Sequence, residues 1–365
     1  MGASLEIRLH DRLEDLSEPE WEGLMSRCPS ATVFQRLGWL RSWHDAFVTN
    51  GRLTVVTAHR AGRLVGAAPL FVDLHGLRTD EGILKFVGHE HSDYNTFLAD
   101  PAEPGVIDSL LDAMELLVPC RGSAQLQEIP EDSSVGAALL SRVHERGSWM
   151  RTTYRTACPY LPLESASNPG AAPPEPPSLR RHASRLAKAG TVSVRHDRDT
   201  DSILPHLPAF FEQHVRRWAG TPFPSLFTRA ANRRFYEAIA RRLGASGAVL
   251  FTTVLLDGRA CAYHFGLVSG RRLLWYKPSF DIGLAAHSPG QYMLRELIRL
   301  AVEERMERLD FTRGDEAFKS RITSLKTHNT SVVMLARARD RLLFDTRVGA
   351  RRFRDRIRLA FTSGG

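Results

Sequence analysis

The chain has 365 residues, of which 43% are hydrophobic and 25% charged, an ordinary globular composition that suffices for two domains with separate cores. No segment reaches the ~18 uncharged apolar residues that a membrane span needs, and the first residues lack the apolar stretch of a secretory signal; we therefore expect a cytoplasmic protein without an integral membrane segment. The net charge of +8 is carried mainly by arginine and suits phosphate-rich partners such as nucleotide cofactors, nucleic acid or anionic lipid.

The cysteines are far apart and form no C-x-x-C pair, which argues against zinc and for reduced thiols packed in the core; they are Cys28, Cys120, Cys158 and Cys261. The pair His89 and His91 has no third ligand nearby in the sequence. We therefore expect no metal site.

Hydrophobic periodicity and turn residues divide the first half of the chain into elements. The pattern predicts a helix at residues 39–47, a hairpin of strands at 53–58 and 64–71, and a short strand at 83–87. It then predicts a helix at 107–118, a strand at 124–129, a helix at 135–146 and a strand at 151–163.

Residues 165–177 contain five prolines, a composition that forms neither a helix nor a central strand. They are predicted to be a linker between an N-terminal domain, residues 1–164, and a C-terminal domain, residues 178–340. The last segment, residues 341–365, alternates basic and apolar residues and is predicted to be a basic helix that docks on the body or on a membrane surface.

The second half repeats the order of elements. Predicted helices at residues 179–188, 203–218 and 229–243 surround a strand at 191–194, and strands at 248–256, 260–268 and 271–277 follow. Asp257-Gly258 and Ser269-Gly270 are typical turns between antiparallel neighbours. A helix at 291–304 and strands at 307–311 and 330–338 complete the half. Each half thus predicts an antiparallel meander followed by strand–helix–strand, an α+β (α/β) fold with mixed, mostly antiparallel sheets and flanking helices.

The segment Asp310-Phe-Thr-Arg-Gly-Asp-Glu-Ala-Phe-Lys319 follows a predicted strand. Residues beyond the carboxyl end of a strand face the ligand crevice in α/β architectures. Asp315 and Glu316 are therefore candidate general bases, and Arg313 and Lys319 are candidates for holding an anionic substrate. The alternative is a salt-bridged loop whose acids cap the helix that begins near residue 317. Which of the two carboxylates acts as the base stays open.

A second candidate site is the start of the helix at residues 291–304. Ser288 occupies the N-cap position and Pro289 the first helical position. The unpaired N–H groups and positive dipole of a helix start suit a pyrophosphate or an oxyanion. Ser288, Gly290 and Gln291 are the predicted donor-binding residues; the alternative is simply a well-capped helix.

His214 and Trp218 are four residues apart and share one face of a predicted helix. His214 is a candidate proton relay, the alternative being a core or surface histidine, and Trp218 is a candidate substrate contact. Further candidates for substrate recognition follow strand ends: Tyr276, Lys277, Asp93 and Tyr94.

The usual hydrolase, P-loop and dinucleotide fingerprints are absent from the sequence. Acyl transfer by direct attack within one complex needs only positioning, a base and an oxyanion donor. The candidate residues supply all three.

Several stretches together resemble the GNAT-type acyltransferases grouped around the CelD cellulose-biosynthesis protein. They are Ser288-Pro-Gly290, residues 309–316 with Lys319, residues 34–39 with Trp43, residues 64–70 and 92–94, the basic segment 180–190, and residues 214–218. The resemblance runs from about Phe34 to Met334. It implies two GNAT-like domains in tandem, as in the FemABX peptidoglycan aminoacyltransferases, and no permanently bound cofactor.

The resemblance also implies an acyl donor as co-substrate. The usual GNAT donor is acyl-CoA, held by a Gln/Arg-x-x-Gly-x-Gly/Ala loop, whereas Ala286-His-Ser-Pro-Gly290 lacks the full signature; the FemABX-like relatives use aminoacyl-tRNA. The first hypothesis is an N- or O-acyltransferase acting on a small-molecule, polysaccharide or cell-envelope precursor. The second is an aminoacyl-tRNA-dependent transferase, and the third a non-catalytic scaffold.

Overall fold

A computed structural model describes residues 4–74, 81–118, 122–146, 149–163 and 177–335. Most of the predicted linker at 165–177 and all of the predicted basic helix at 341–365 lie outside these residues. The described residues form two compact units that are discontinuous in sequence. The first comprises residues up to Ser30, Thr49–Arg155 and those from Asn329 on, and the second comprises Ala31–Val48 and Thr156–His328. Three segments lie in a different unit from their predicted domain: residues 31–48 and 156–163 belong to the second unit, and those from Asn329 on belong to the first.

The first unit is a sheet with helices. Its strands are β1 (Leu5–His10), β2 (Gly51–Arg60), β3 (Arg63–Asp73), β4 (Ile83–Phe86), β5 (Leu98–Ala99), β6 (Ser123–Pro130) and, from Asn329 on, β13 (Lys326–Leu335). Its helices are α1 (Glu18–Arg27), α3 (Val106–Leu117) and α4 (Ser134–Arg146). The strand order is β1-β2-β3-β4-β6-β13, with β5 beside β3; β4 and β6 are parallel.

The second unit holds a sheet of the same kind. Its strands are β8 (Val192–Asp197), β9 (Val249–Leu256), β10 (Arg259–Ser269), β11 (Arg272–Phe280), β12 (Arg308–Asp310) and the end of β7 (Met150–Pro162). Its helices are α2 (Leu37–Phe47), α5 (Pro177–Ala187), α6 (Thr200–Ile203), α7 (Leu207–Trp218), α8 (Ala230–Leu243), α9 (Pro289–Glu303) and α10 (Ala317–Ser320). The strand order is β8-β9-β10-β11-β12-β7.

The two sheets share one topology. In each, an antiparallel meander runs into a strand, a helix and a parallel strand: β4, α3 and β6 in the first unit, and β11, α9 and β12 in the second. The predicted repeat and fold class are thus confirmed. The last strand of each sheet is not the strand that follows its partner in the sequence: β13 pairs with β6 in the first sheet, and β7 pairs with β12 in the second.

Aromatic packing explains why α2 belongs to the second unit. Trp39 of α2 lies edge-on to Phe235 of α8 and to Tyr276 of β11 at ring-centroid distances of 5.1 and 5.8 Å. Trp275 faces the other way, into a core with Met293 and Leu297 of α9, because successive side chains of a strand alternate faces. Each such buried side chain contributes about 1.5–3 kcal/mol, so the sheet is fixed on both faces.

One prediction of local structure was wrong, and two elements were not predicted. Residues 203–218 are not one helix: α6 ends at Ile203, a short 3₁₀ turn spans Leu204–His206, and α7 begins at Leu207. Pro205 and Pro208 lack N–H donors and crowd the preceding turn, which breaks the helix there. β1 and α1 precede residue 39, where no element is predicted; β1 is mostly exposed, although Leu5, Ile7 and Leu9 alternate with polar residues as in a strand.

Within the described residues, none of the helices is long and apolar enough to cross a bilayer, and no three His, Cys, Asp or Glu side chains gather as metal ligands would. The described cysteines, Cys28, Cys158 and Cys261, are buried free thiols. Burial raises the pKa of Cys28 and of Cys261 to about 11, so both thiols are protonated at neutral pH and unreactive.

Candidate active site

The two parallel strands of the second unit separate after three residue pairs. β11 and β12 pair from Arg272↔Arg308 to Leu274↔Asp310. Beyond that point β11 continues to Phe280, while the chain after β12 turns away and Phe311 N–H donates to the Pro159 carbonyl. The second half of β11 therefore presents an edge that β12 does not cover, at the carboxyl ends of both strands. This is the position where ligands bind in open α/β sheets.

A β-bulge shapes this edge. The register between β10 and β11 passes from Leu267↔Leu274 to Phe265↔Lys277, so β11 carries one extra residue. The Tyr276 N–H donates to Nε2 of the fully buried His264 at 3.2 Å. A Cβ on Gly266 would lie 2.5 Å from the His264 ring. A side chain there would therefore displace the imidazole that accepts the hydrogen bond from the Tyr276 N–H in the bulge.

The loop after β12 is tightly held. The Asp310 carboxylate accepts a hydrogen bond from Thr312 N–H at 2.9 Å, and Gly314 N–H donates to the Ala157 carbonyl at 2.9 Å. Thr312 and Gly314 both have positive φ, 56° and 106°. A non-glycine residue in this region is strained, and such strain occurs preferentially at functional sites.

The buried side chain of Lys319 binds the loop after β12. Its side chain is 4% exposed, and its ammonium donates to the carbonyls of Arg313 and Gly314 at 2.9 and 3.1 Å. It also pairs with the Glu316 carboxylate at 2.7 Å. These three acceptors use all the hydrogens of the ammonium. The contacts thus favour a positioning role over the predicted direct binding of an anionic substrate.

The two adjacent acids differ in their surroundings. Asp315 pairs with Lys326 at 3.2 Å, and both side chains are exposed. The Glu316 carboxylate lies against Gly314, where a Cβ would be 2.8 Å from Oε2. Glu316 is the N-cap residue of α10 but makes no side-chain capping bond, so capping does not explain it. Arg313 is half-buried beside them.

The start of α9 is unusual. Ser288 is its N-cap residue, with left-handed φ 56° and ψ 48°, and its side chain does not cap the helix. The predicted capping bond is therefore absent; the hydroxyl instead contacts His182 Nδ1 of α5 at 3.0 Å. The amides of Gln291 and Tyr292 donate to the Ser288 carbonyl. Gly290 N–H donates to no described backbone oxygen, which makes it, rather than the predicted Gln291 amide, the available donor.

His182 is not among the predicted site residues, although the sequence predicts a basic helix at this position. Burial, together with the positive charges of Arg185, Arg181 and Arg321, lowers the pKa of His182. Arg321 directly follows α10, so a positive field covers both the α9 start and the end of the loop that carries Glu316. Such a field suits a phosphate.

His214 is buried and neutral. Burial and the charges of Arg217 and Lys277 lower its pKa to about 3, which makes it a weak base at neutral pH. Its Nδ1 lies 2.8 Å from the Ser225 hydroxyl, which also accepts a bond from Phe227 N–H. In the tautomer in which the Ser225 hydroxyl donates to Nδ1, the imidazole proton is on Nε2. The geometry favours a hydrogen-bond donor over the predicted proton relay.

The Phe280 ring lies next to both the start of α9 and the end of α7. A Cβ on Gly290 would lie 3.2 Å from this ring, and the Arg217 guanidinium carbon lies 4.2 Å from its centroid. Trp218 stacks on His214 with centroids 6.0 Å apart. The start of α9 and the end of α7 therefore meet at one side chain.

Of the remaining predicted contacts on β11, Tyr276 is buried in the aromatic core between Trp39 and Tyr236. The Lys277 ammonium lies 3.9 Å from the Tyr276 ring centroid, a cation–π contact. The tyrosine thus serves mainly as support for the lysine, which stands at the uncovered edge.

Asp93 and Tyr94 lie in the first unit, where both are buried. The Asn329 side-chain amide donates to the Asp93 carbonyl at 2.8 Å and to the Glu128 carboxylate at 3.0 Å. These bonds join the end of the β4–β5 connection to β6 and β13. The prediction that Asp93 and Tyr94 recognise the acceptor stays a prediction.

The buried histidines make stability depend on pH. Burial lowers the pKa of His264 to about 3, as it does, with nearby charges, that of His214. Because both values are below the ordinary 6.5, the unfolded chain binds more protons between pH 6.5 and 3, and the free energy of unfolding falls as the pH drops through that window. At about pH 4.5 we expect a loss on the order of 3 kcal/mol for each histidine.

Urea denaturation at neutral pH and near pH 4.5 measures this loss. His214→Gln should make the free energy of unfolding less dependent on pH, because the lowered pKa of this imidazole is the cause of the loss. An unchanged dependence in His214→Gln would show that this imidazole is not buried and neutral.

Residues 177–320 match the family model described as acetyltransferase (GNAT) domain. No curated protein matches the sequence at a significant level. The structure resembles that of FemX, with 12% identity, a TM-score of 0.60 and coverage of 89% of this chain and 96% of that chain.

Two further solved structures share the fold. One is the C-terminal domain of a putative lysylphosphatidylglycerol synthetase from Agrobacterium fabrum, with 13% identity, a TM-score of 0.55 and coverage of 90% of this chain and 95% of that chain. The other is L-PGS from Bacillus licheniformis, with 10% identity, a TM-score of 0.52 and coverage of 92% and 97%. Such low identities show the fold alone, and the family match covers the helix start, the loop after β12 and α7. Residues 177–320 thus match an acetyltransferase (GNAT) domain, and the chain shares its fold with these solved structures.

Proposed function

We propose that the chain transfers an acyl group from acyl-CoA to an amine or hydroxyl of a small-molecule or cell-envelope precursor. One observation carries the proposal. The positive start of α9 follows β11, and the held carboxylate of Glu316 follows β12, where these parallel strands separate. A phosphate-binding element and a base thus follow the carboxyl ends of neighbouring strands.

The donor is assigned to the α9 start. Gly290 N–H and the helix dipole act on a phosphate, and Arg181, Arg185 and Arg321 add positive charge around His182. The uncovered half of β11 offers its backbone to the amide groups of the acyl carrier arm. A long phosphate-bearing donor thus lies with its anion at the helix and its acyl end at the strand edge.

The base is assigned to Glu316. The acceptor nitrogen or oxygen attacks the thioester carbonyl carbon while Glu316 accepts the acceptor's proton. The carbon–sulfur bond then breaks, and the CoA thiolate leaves and takes up a proton. Lys319 contributes by fixing the loop, because its ammonium binds the two carbonyls that precede Glu316.

A second candidate uses aminoacyl-tRNA as the donor. The observations that favour it are the shared fold with FemX and with two proteins named lysylphosphatidylglycerol synthetase or L-PGS, and the exposed basic face of α5. Here the acceptor attacks an ester carbonyl and the tRNA hydroxyl leaves. A cytoplasmic location is part of both proposals, since both donors are made there.

Mass spectrometry of products separates the two donors. The protein is incubated with a panel of CoA thioesters or with charged tRNA, each with small amines and with cell-extract acceptors. Acyl transfer from a CoA thioester that survives ribonuclease supports the first candidate. Transfer that ribonuclease abolishes and added charged tRNA restores supports the second. If no donor yields product, the assignment of the α9 start to the donor is wrong.

His182→Ala is expected to weaken CoA binding about tenfold, because it removes a hydrogen bond worth ~1.5 kcal/mol from the helix start that receives the charged phosphate. Isothermal titration calorimetry with CoA measures the affinity. His206→Ala is the matched control, since His206 lies in the turn before α7 and contacts Arg195. Equal affinities in the wild type and His182→Ala would contradict this placement of the phosphate.

A further inference from the structure

The last turn of α7 holds a half-buried cation, Arg217, that pairs with none of the described carboxylates. Its Nη1 donates to the Pro278 carbonyl at 2.8 Å, and its guanidinium carbon lies 4.2 and 5.3 Å from the ring centroids of Phe280 and Trp218. Burial lowers the pKa of Arg217 to about 10, so it keeps its charge at neutral pH. A charge that is partly removed from water and has no counterion is costly.

The free edge of this guanidinium has the geometry of an anion fork. Nη1 is engaged by Pro278, whereas Nε and Nη2 donate to none of the described residues. Two parallel N–H groups on one edge match the two oxygens of a carboxylate or of a phosphate. The contacts with both aromatic rings and the bond to the Pro278 carbonyl restrict the movement of the group.

The neighbouring polar groups are donors as well. Trp218 Nε1 is buried and has no hydrogen-bond partner among the described residues, and indole N–H can only donate. The Nδ1 of His214 contacts the Ser225 hydroxyl, so its Nε2 is the ring nitrogen that is available, and it donates in the tautomer with the proton on Nε2. Arg217, Trp218 and His214 thus form a group of N–H donors, which we call the α7 donor cluster.

Helix energetics alone do not require this arrangement. A basic residue in the last turn of a helix interacts favourably with its dipole, but Arg216 already supplies that charge from an exposed position. Lys277, close enough to help lower the pKa of His214, adds a second cation near the cluster. Positive charges and donors in one place are stabilised by a ligand that only accepts hydrogen bonds.

We propose that the α7 donor cluster binds an oxyanion, a carboxylate or a phosphate, carried by the acceptor substrate. This inference rests on the proposed acyl transfer for the identity of the ligand as an acceptor. It names the substrate class: amines or alcohols that bear an acidic group. The Phe280 ring, shared by Arg217 and Gly290, sets the cluster beside the donor site.

Binding of the anion is tested without turnover. In ¹H–¹⁵N spectra the Trp218 indole resonance is assigned with Trp218→Phe, and the wild type is titrated with acetate, inorganic phosphate and neutral acetamide. We expect a saturable shift with acetate or phosphate and none with acetamide; the anion that binds more tightly identifies the acidic group. Arg217→Gln should weaken the binding at least about 30-fold, a lost charge-assisted pair of ~2 kcal/mol. Arg216→Gln, with the same change in net charge, should bind as the wild type does.

Measurements of turnover test the anion site independently. With the donor found in the panel, glycine is compared with glycinamide and glucosamine 6-phosphate with glucosamine. Arg217→Gln should raise KM at least about 30-fold for the acidic member of the preferred pair and leave the neutral member nearly unchanged. No indole shift with either anion, or equal effects of Arg216→Gln and Arg217→Gln, would overturn the proposal. A shift without any acyl transfer would leave the anion site standing and remove the proposed function.

Discussion

Glu316→Gln is expected to lower kcat by about 10²- to 10⁴-fold, the usual contribution of a general base. The substitution keeps the size of the side chain and one acceptor oxygen, so the contact with the Lys319 ammonium at 2.7 Å can persist. KM for the donor should change little, because the donor is assigned to the α9 start. Initial rates of acyl transfer, followed as release of free CoA thiol, measure both constants.

Asp315→Asn is the matched control for this prediction. Asp315 is adjacent in sequence and pairs with the exposed Lys326, and exposed pairs are worth at most about 1 kcal/mol. We expect its kcat to stay within about threefold of the wild type. Equal losses in the two variants would mean that the loop's charge, not a positioned base, matters. If both variants keep full activity, the assignment of the base to this loop fails and a non-catalytic loop becomes the better description.

Lys319→Met is expected to lower the free energy of unfolding by about 2–3 kcal/mol, because the carbonyls of Arg313 and Gly314 lose a buried donor. The pair with Glu316 adds little to this figure, since the glutamate side chain is 59% exposed and solvent screens it. Activity should fall together with stability, because the loop that carries the base is no longer fixed. Urea denaturation gives the stability, and kcat measured well below the melting temperature gives the activity.

Lys326→Met is the control for Lys319→Met, because it removes a lysine of the same loop region from an exposed pair. We expect it to change the free energy of unfolding by less than about 1 kcal/mol. If Lys319→Met keeps wild-type stability but loses the affinity for an anionic substrate, Lys319 faces the substrate, as the sequence alone predicts.

Much of the fold is local and was predictable. The helix at Leu37–Phe47 and the hairpin at Gly51–Arg60 and Arg63–Asp73 follow from apolar periodicity and from turn residues, which act over a few positions. The repeat of meander, helix and strand was visible in the order of these elements. Pro205, by contrast, splits a helix that periodicity alone would continue, and it shows that apolar spacing does not report a missing N–H.

The candidate site was predictable in its positions but not in its roles. Strand ends and a Ser-Pro-Gly helix start marked the loop at Glu316 and the turn at Ser288. Their contacts depend on residues far away in the sequence. The Ser288 hydroxyl contacts His182, and Arg217, absent from the predicted site, is a half-buried cation in contact with Pro278 and Phe280.

The sequence by itself determined the net charge, the order of elements and the strand-end motifs. Each of these depends only on residue identities within short stretches of the chain. Only the tertiary structure decided that β13 completes the first sheet and β7 the second, and that the side chains of Lys319 and His214 are buried. Strand partners and burial are set by contacts between residues distant in the chain. The desolvation that turns a surface arginine into an anion site exists only after those contacts have formed.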